Sequence, residues 1–263
     1  MIKTSEKDLV ALLEGYRHFL DEGTYDGQDW SAFPERPKSR YRTLRRALEI
    51  FFSIRGRTVV ELGTTRSFCG GAYEGCNRDE VRYWEPENPA KWDWGAGSFT
   101  RVVAEALEGS GALLHTVDAA SSHIARCRVI TRPYQKMIRY HVSSSEDFLK
   151  KFREKIDLLY LDTGDMTPIE PTAELHLREA KLVVERDLIR EGGVVLIDDI
   201  QNQTPKKFGE TSALGKGKYS IPYFLENGFE LLEPGYQYLL RKKKAPKKGI
   251  ARLWESLAGR NFH

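Results

Sequence analysis

Only three cysteines, Cys69, Cys76 and Cys127, occur in the 263 residues. An odd number without paired metal-ligand spacing argues against a disulfide framework and a zinc site, so free thiols are expected. No apolar run reaches the length of a membrane span, and no membrane partner is expected. The first residues, Met1 to Glu6, lead into a mixed polar helix pattern rather than the apolar core and cleavage site of a signal peptide, which makes a cytoplasmic protein the expectation. No Pro/Gly/Ser linker divides the chain into comparable halves, and no internal repeat is visible. A large excess of either charge is also lacking. A net charge of +3 does not by itself point to nucleic acid, although Arg241 to Lys244 and Lys247-Lys248 crowd one end and read as a solvated basic tail. What remains, 40% hydrophobic and 30% charged residues, is the composition of a globular domain with one sizeable core.

Apolar residues at helical spacing (Leu9, Leu12, Leu13, Tyr16, Leu20; Leu44, Leu48, Phe51, Phe52) predict helices over 6–22 and 40–55, packed beside a sheet, with a Gly-, Asp- and Pro-rich loop between them. From Thr58 onward short β-branched or apolar runs alternate with helical segments, the pattern of crossovers in a parallel sheet. Strands are predicted at 58–63, 113–118, 138–143, 156–162, 193–200, 229–233 and 236–242, and helices at 98–108, 121–130, 145–153, 172–190 and 218–227. Pro234-Gly235 joins the last two strands as a hairpin. The expected fold is therefore α/β and Rossmann-like: a mostly parallel seven-stranded sheet flanked by helices, the last strand antiparallel. An N-terminal helical extension (1–56), a main domain (57–243) and a basic tail (244–263) follow. About thirty residues, 69–97, interrupt the main domain with Tyr73, Tyr83, Trp84, Trp92 and Trp94. Such an insertion at the pocket mouth could cover an acceptor, form a packed lid or make a dimer contact in a homo-oligomer.

Ligands of open parallel sheets sit beyond the carboxyl ends of the strands, and here those ends carry acids. Glu61-Leu-Gly63 opens a turn in which glycine lets the backbone approach a ligand. Asp118 ends the second strand, where a carboxylate accepts hydrogen bonds from ribose hydroxyls; its alternative role is to cap the helix near Ser121. Ser143 or Ser144 can cap the next helix, with Glu146 or Asp147 completing a capping box, and Ser145 can in addition reach a purine ring. Asp162, Asp198 and Asp199 would repel one another unless a cation neutralises them, which suggests a hard divalent metal, magnesium first. Their alternative is a loop cap and a bond to a backbone amide.

The order Val-Glu-Leu-Gly, Thr-Val-Asp, Ser-Ser-Glu-Asp, Asp-Leu-Leu-Tyr-Leu-Asp and Gly-Gly-Val-Val-Leu-Ile-Asp-Asp resembles the class I S-adenosylmethionine-dependent methyltransferases. More narrowly it is similar to the metal-dependent O-methyltransferases of the catechol and macrolide-sugar types, over roughly residues 56–243. The resemblance implies that Glu61 and Gly63 contact the methionine part of the cofactor, that Asp118 holds its ribose, and that Ser145 and Glu146 lie at its adenine. It further implies that Asp162, Asp198 and Asp199 bind the metal. O-methylation of a small hydroxylated acceptor follows, with a metal-independent methyltransferase acting on a macromolecule, or a non-catalytic adenosyl-ligand or partner-binding module, as the alternatives.

The chain also departs from those families. Its glycine-rich turn is reduced to Gly63-Thr-Thr-Arg-Ser-Phe-Cys-Gly70-Gly71, and the Gly-x-Ser-Thr pattern survives only as Gly97-Ser-Phe-Thr100. Asp165 stands where the catechol type has a lysine base, and can serve as base or additional ligand. Candidates for the acceptor's proton are therefore Asp165 and His176, the latter on a predicted helix where a lone histidine also has a structural reading.

Overall fold

The computed structural model describes residues 6–22, 39–69, 79–89, 92, 98–200 and 214–244. Seven strands form one sheet: β1 (Thr58–Leu62), β2 (Leu113–Asp118), β3 (Ile138–Val142), β4 (Ile156–Leu161), β5 (Ile189–Ile197), β6 (Phe229–Glu233) and β7 (Tyr238–Lys242). Their order is β3-β2-β1-β4-β5-β7-β6; the first five pair in parallel, and β7 runs antiparallel to both β5 and β6. This is the expected Rossmann-like sheet with its antiparallel last strand.

Every residue of β1 and β4 is buried, as required of central strands covered on both faces. The pleat sends neighbours to opposite sides. Val59, Leu158, Val194 and Leu239 join one core with helices α1 (Glu6–Gly15), α2 (Arg17–Glu22), α3 (Tyr41–Ser53) and α4 (Ser98–Ala106). Val60, Leu159, Val195 and Leu240 join the other, with α6 (Ser145–Lys151), α7 (Ile169–Glu185) and α8 (Ser220–Glu226). Helix α5 (Ser121–Ile130) connects β2 to β3. The N-terminal helices thus pack directly on the sheet: Leu44, Leu48 and Phe51 of α3 are at most 1% exposed.

Four expectations change. The predicted helix over 6–22 divides at Tyr16 into α1 and α2. The predicted helix 172–190 begins earlier, at Ile169, and ends at Glu185 because Asp187 turns into the left-handed region (φ 52°). The strand predicted from 193 then starts at Ile189: Ile156 pairs with Ile189 but Leu158 with Val194, so β5 bulges around Gly192-Gly193. The fourth concerns the thiols. Cys69 is disulfide-bonded and Cys127 is free and buried; Cys76 lies outside the described residues. The basic tail beyond Lys244, and Tyr73 and Trp94 of the insertion, also lie outside them.

Candidate active site at the carboxyl ends of the strands

The turn after β1 is held from three sides. Gly63 has φ 90°, and a Cβ there would stand 2.5 Å from the backbone oxygen of Asp162, so only glycine lets the β1 turn lie against the end of β4. Asp118, at the end of β2, accepts the backbone N–H of Thr64 (3.1 Å) and of Ala120 (2.8 Å), and its Oδ2 lies 3.1 Å from His123 Nδ1. It does not cap α5, whose N-cap is Ala120 without a side-chain cap, but it ties β2 to the β1 turn. Its side chain remains 15% exposed. Glu61 is placed differently from an accessible acid. It is buried, accepts the Thr100 hydroxyl at 2.5 Å through Oε2, and leaves Oε1 without a hydrogen-bond partner among the described residues. Burial pushes its carboxyl up to about 8, so it is neutral at pH 7. Thr100 belongs to the Gly-x-Ser-Thr remnant, which here braces Glu61 from α4.

At the start of α6, Ser144 is the cap, accepting the Asp147 N–H at 3.1 Å. Ser145 is buried against Glu179 of α7, and Glu146 is ion-paired with Arg178 at 3.3 Å. Both expected adenine contacts are thus anchored to α7.

Asp162, Asp198 and Asp199 do converge, and a cation does stand among them, but it comes from the chain. Lys216 Nζ lies 2.9 Å from Asp162 Oδ1 and 2.7 Å from Asp199 Oδ2, with its side chain 2% exposed. Arg40, which precedes α3, places Nε 3.1 Å from Asp198 Oδ2 and Nη2 3.7 Å from Asp199 Oδ1. Tyr160 donates to Asp198, Tyr236 to Asp199, and the Asp199 N–H to Asp198 at 2.8 Å. Two cations against three carboxylates leave one formal negative charge. Burial pushes Asp162 up to about 6 despite Lys216. Burial also raises Asp199, but Lys216 and Arg40 outweigh it and hold that carboxyl well below its usual range. Lys216 opposes its own desolvation through the two acids, which keep its ammonium protonated beyond the ordinary lysine value.

A hard divalent ion needs carboxylate oxygens free to approach it. As these residues stand they do not fit one: an ammonium already bridges Asp162 and Asp199, and Asp198 is fully buried between Arg40 and Tyr160. Among the described residues no group of three His, Cys, Asp or Glu side chains is arranged to hold a metal ion.

Neither proton-acceptor candidate is hydrogen-bonded to the clustered acids by any bond described above, although His176 feels the charges of Lys216 and Asp199. His176 is fully buried with Nε2 donating to the Thr163 carbonyl (3.1 Å), and burial pushes its imidazole down to about 3. One turn along α7, Glu179 accepts the Thr163 hydroxyl at 2.9 Å, so His176 and Glu179 together clamp the chain just after β4. Asp165 is the opposite case, an exposed side chain ion-paired with Arg66. In the insertion, Trp92 is 1% exposed and packs against Trp84, Tyr16 and Phe19 at centroid distances of 4.9, 5.7 and 5.7 Å. Trp92 thus packs between α1, α2 and Trp84.

Lys216, Arg40 and Tyr236 escape sequence reasoning because nothing local marks them; Lys216 is 54 residues from Asp162, and Arg40 is 158 from Asp198. A separate groove of about 760 Å³ is lined by Arg46, Glu49, Phe52, Gly192, Lys243 and Lys244 among others. Gly192 and Lys244 place it at the amino ends of the parallel strands, the end opposite the acids.

Residues 94–200 match the model of a family described as a methyltransferase domain. No curated protein matches the chain. Among solved structures, the chain is similar to the SAH-bound methyltransferase PaMTH1 of Podospora anserina (15% identity, TM-score 0.48, 90% of this chain and 88% of that one). It is similar also to an O-methyltransferase of Bacillus cereus in complex with SAH (13%, TM-score 0.46, 93% and 92%) and to NSun6 of Pyrococcus horikoshii with SFG (12%, TM-score 0.48, 73% and 49%). The likeness is weak in every case; the match over 94–200, which spans β2 to β5, is the one that bears on chemistry.

Proposed function

We propose that this protein is an S-adenosylmethionine-dependent methyltransferase acting on a hydroxyl of a small acceptor. The observation that carries the reading is the junction of β1 and β2, where the Gly63 turn and Asp118 meet through the Thr64 N–H at the carboxyl edge of a sheet ordered β3-β2-β1-β4-β5-β7-β6. The methyltransferase-domain match over the adjoining residues supports it. When bound, the cofactor supplies an electrophilic methyl group on a sulfonium.

The chain's own residues then have distinct tasks. Asp118, partly exposed and already oriented by two backbone N–H groups, would receive the ribose hydroxyls, with His123 moving off Oδ2. Glu61, neutral and braced by Thr100, supports the turn from beneath. Alignment of an acceptor oxygen and removal of its proton are the remaining requirements. Of the three clustered acids Asp162 has the most exposed side chain, 19% against 13% for Asp199 and 1% for Asp198, so we assign proton acceptance to Asp162. Magnesium takes no step in this reading, because Lys216 and Arg40 hold the oxygens it would need. A macromolecular acceptor is disfavoured by the placement of the basic groove at the far end of the sheet.

Titration calorimetry with S-adenosylmethionine tests this. The wild type should bind, and Asp118→Ala should bind more weakly by about 1.5–3 kcal/mol, the worth of a hydrogen bond to a charged acceptor. Absence of binding by a folded wild type would remove the proposal; equal affinity of the variant would remove Asp118 from it.

A further inference from the structure

We propose that Lys216 is a built-in cation that makes the acid cluster a metal-free site, and that its ammonium, rather than a divalent ion, organises Asp162 and Asp199 toward the acceptor. The placement is specific. Lys216 is central in the 3-10 turn Gly215–Gly217, directly ahead of α8, and its backbone N–H reaches the Asp199 carbonyl at 3.3 Å. Glycine on either side permits that approach: Gly215 has φ 49°, and a Cβ on Gly217 would lie 2.3 Å from Ile221 Cδ1 and 2.8 Å from Ile200 Cδ1. Among the described residues Lys216 is the largest charged residue that is fully buried, and its Nζ bonds to both acids at ordinary lengths. A buried lysine without such partners would be strongly destabilising, so the turn and the two carboxylates form one unit.

The chemical consequence concerns the acceptor. A divalent ion can draw in two neighbouring acceptor oxygens and lower a hydroxyl pKa by coordination. An ammonium offers hydrogen bonds only, and two of its three N–H donors are used by Asp162 and Asp199. The site therefore selects an acceptor by a single oxygen, presented to Asp162, and has no requirement for a vicinal pair. This last step rests on the function proposed above; the presence of the cation does not.

Manganese binding provides the test, followed by the electron paramagnetic resonance signal of the free ion and by thermal melting. The wild type should show no saturable site that Asp162→Asn abolishes, and its melting temperature should be unmoved by manganese or chelator. Lys216→Met removes the ammonium and leaves Asp162 and Asp199 facing one position. This variant should melt lower and acquire a manganese-dependent rise in melting temperature. Saturable binding to the wild type that Asp162→Asn removes would overturn the inference, as would a folded Lys216→Met indifferent to manganese. Should Lys216→Met fail to fold, the wild-type measurement decides alone. A wild type that binds neither S-adenosylmethionine nor manganese would sink the proposed function and leave the metal-free site standing.

Discussion

Glu61 occupies the position where an acid facing a ligand is expected, yet the fold turns it into a neutral buried group. Its carboxyl is raised from 4.5 to about 8 by burial, with the Thr100 hydroxyl only partly offsetting the loss of water. The folded state therefore binds a proton that the unfolded state has released between those two values. Stability from this group is complete below pH 4.5 and declines as pH rises toward 8. Glu61→Gln, which keeps the shape and removes the titration, should match the wild type closely at pH 5 and exceed it at pH 9. The difference should be on the order of a few kcal/mol. Urea unfolding at the two pH values checks this, and a gap independent of pH would show that Glu61 is not buried in its neutral form. Asp162 and Lys216 make the complementary case, in which burial is tolerated because opposite charges meet at hydrogen-bonding distance.

Among the elements, the insertion and the N-terminal helices depend on each other. Trp92 donates its indole N–H to the Glu85 carbonyl at 2.8 Å and fills the space between α1, α2 and Trp84. Tyr16 adds a 2.7 Å bond to Glu105 of α4. Replacing a fully buried tryptophan by alanine typically costs about 3–5 kcal/mol. Trp92→Ala should therefore lower the urea midpoint markedly and expose α1 and α2 to proteolysis before the sheet; a loss below about 1 kcal/mol would mean that the aromatic contacts do not hold these helices. Element types were readable from apolar periodicity, because strand and helix periods differ. Boundaries were less so. The end of α7 is set by Asp187 in the left-handed region and by the bulge that lets β5 begin at Ile189, both of which satisfy pairing with β4 rather than any local preference.

At the scale of the molecule, the sheet separates two ends with different character. The carboxyl edge gathers Asp118, Asp162, Asp198 and Asp199, while the amino edge carries the groove of Arg46, Lys243 and Lys244. Cofactor bound at the carboxyl edge would contact β1, β2 and β4 together, elements that the Gly63 turn already joins, so it should stabilise the whole fold. At about 100 times its dissociation constant a ligand adds about 2.7 kcal/mol. For a domain of this size that corresponds to a rise of about 5–10 °C in melting temperature. Thermal melts with and without S-adenosylmethionine measure it, and no shift at saturating concentration would contradict binding to the native sheet.

The order of amino acids along the chain already specifies the alternation of strands and helices, the hairpin at Pro234-Gly235, the turn at Gly63 and the acids at the ends of β1, β2, β4 and β5. These follow from local patterns: period, turn chemistry and the last residue of each strand. It also implied that three converging aspartates need a positive charge. Which charge meets that need was decided by tertiary structure alone. Arg40 lies before α3, 158 residues from Asp198, and Lys216 before α8, 54 residues from Asp162, and their roles arise only when both sides of the sheet close over its carboxyl edge. Likewise, burial separated the acids chemically: Glu61 became neutral, Asp199 was held charged by two cations, and Asp162 was left between them. A carboxylate's position can be read along a chain, but its charge state depends on the water and the ions that the fold leaves around it.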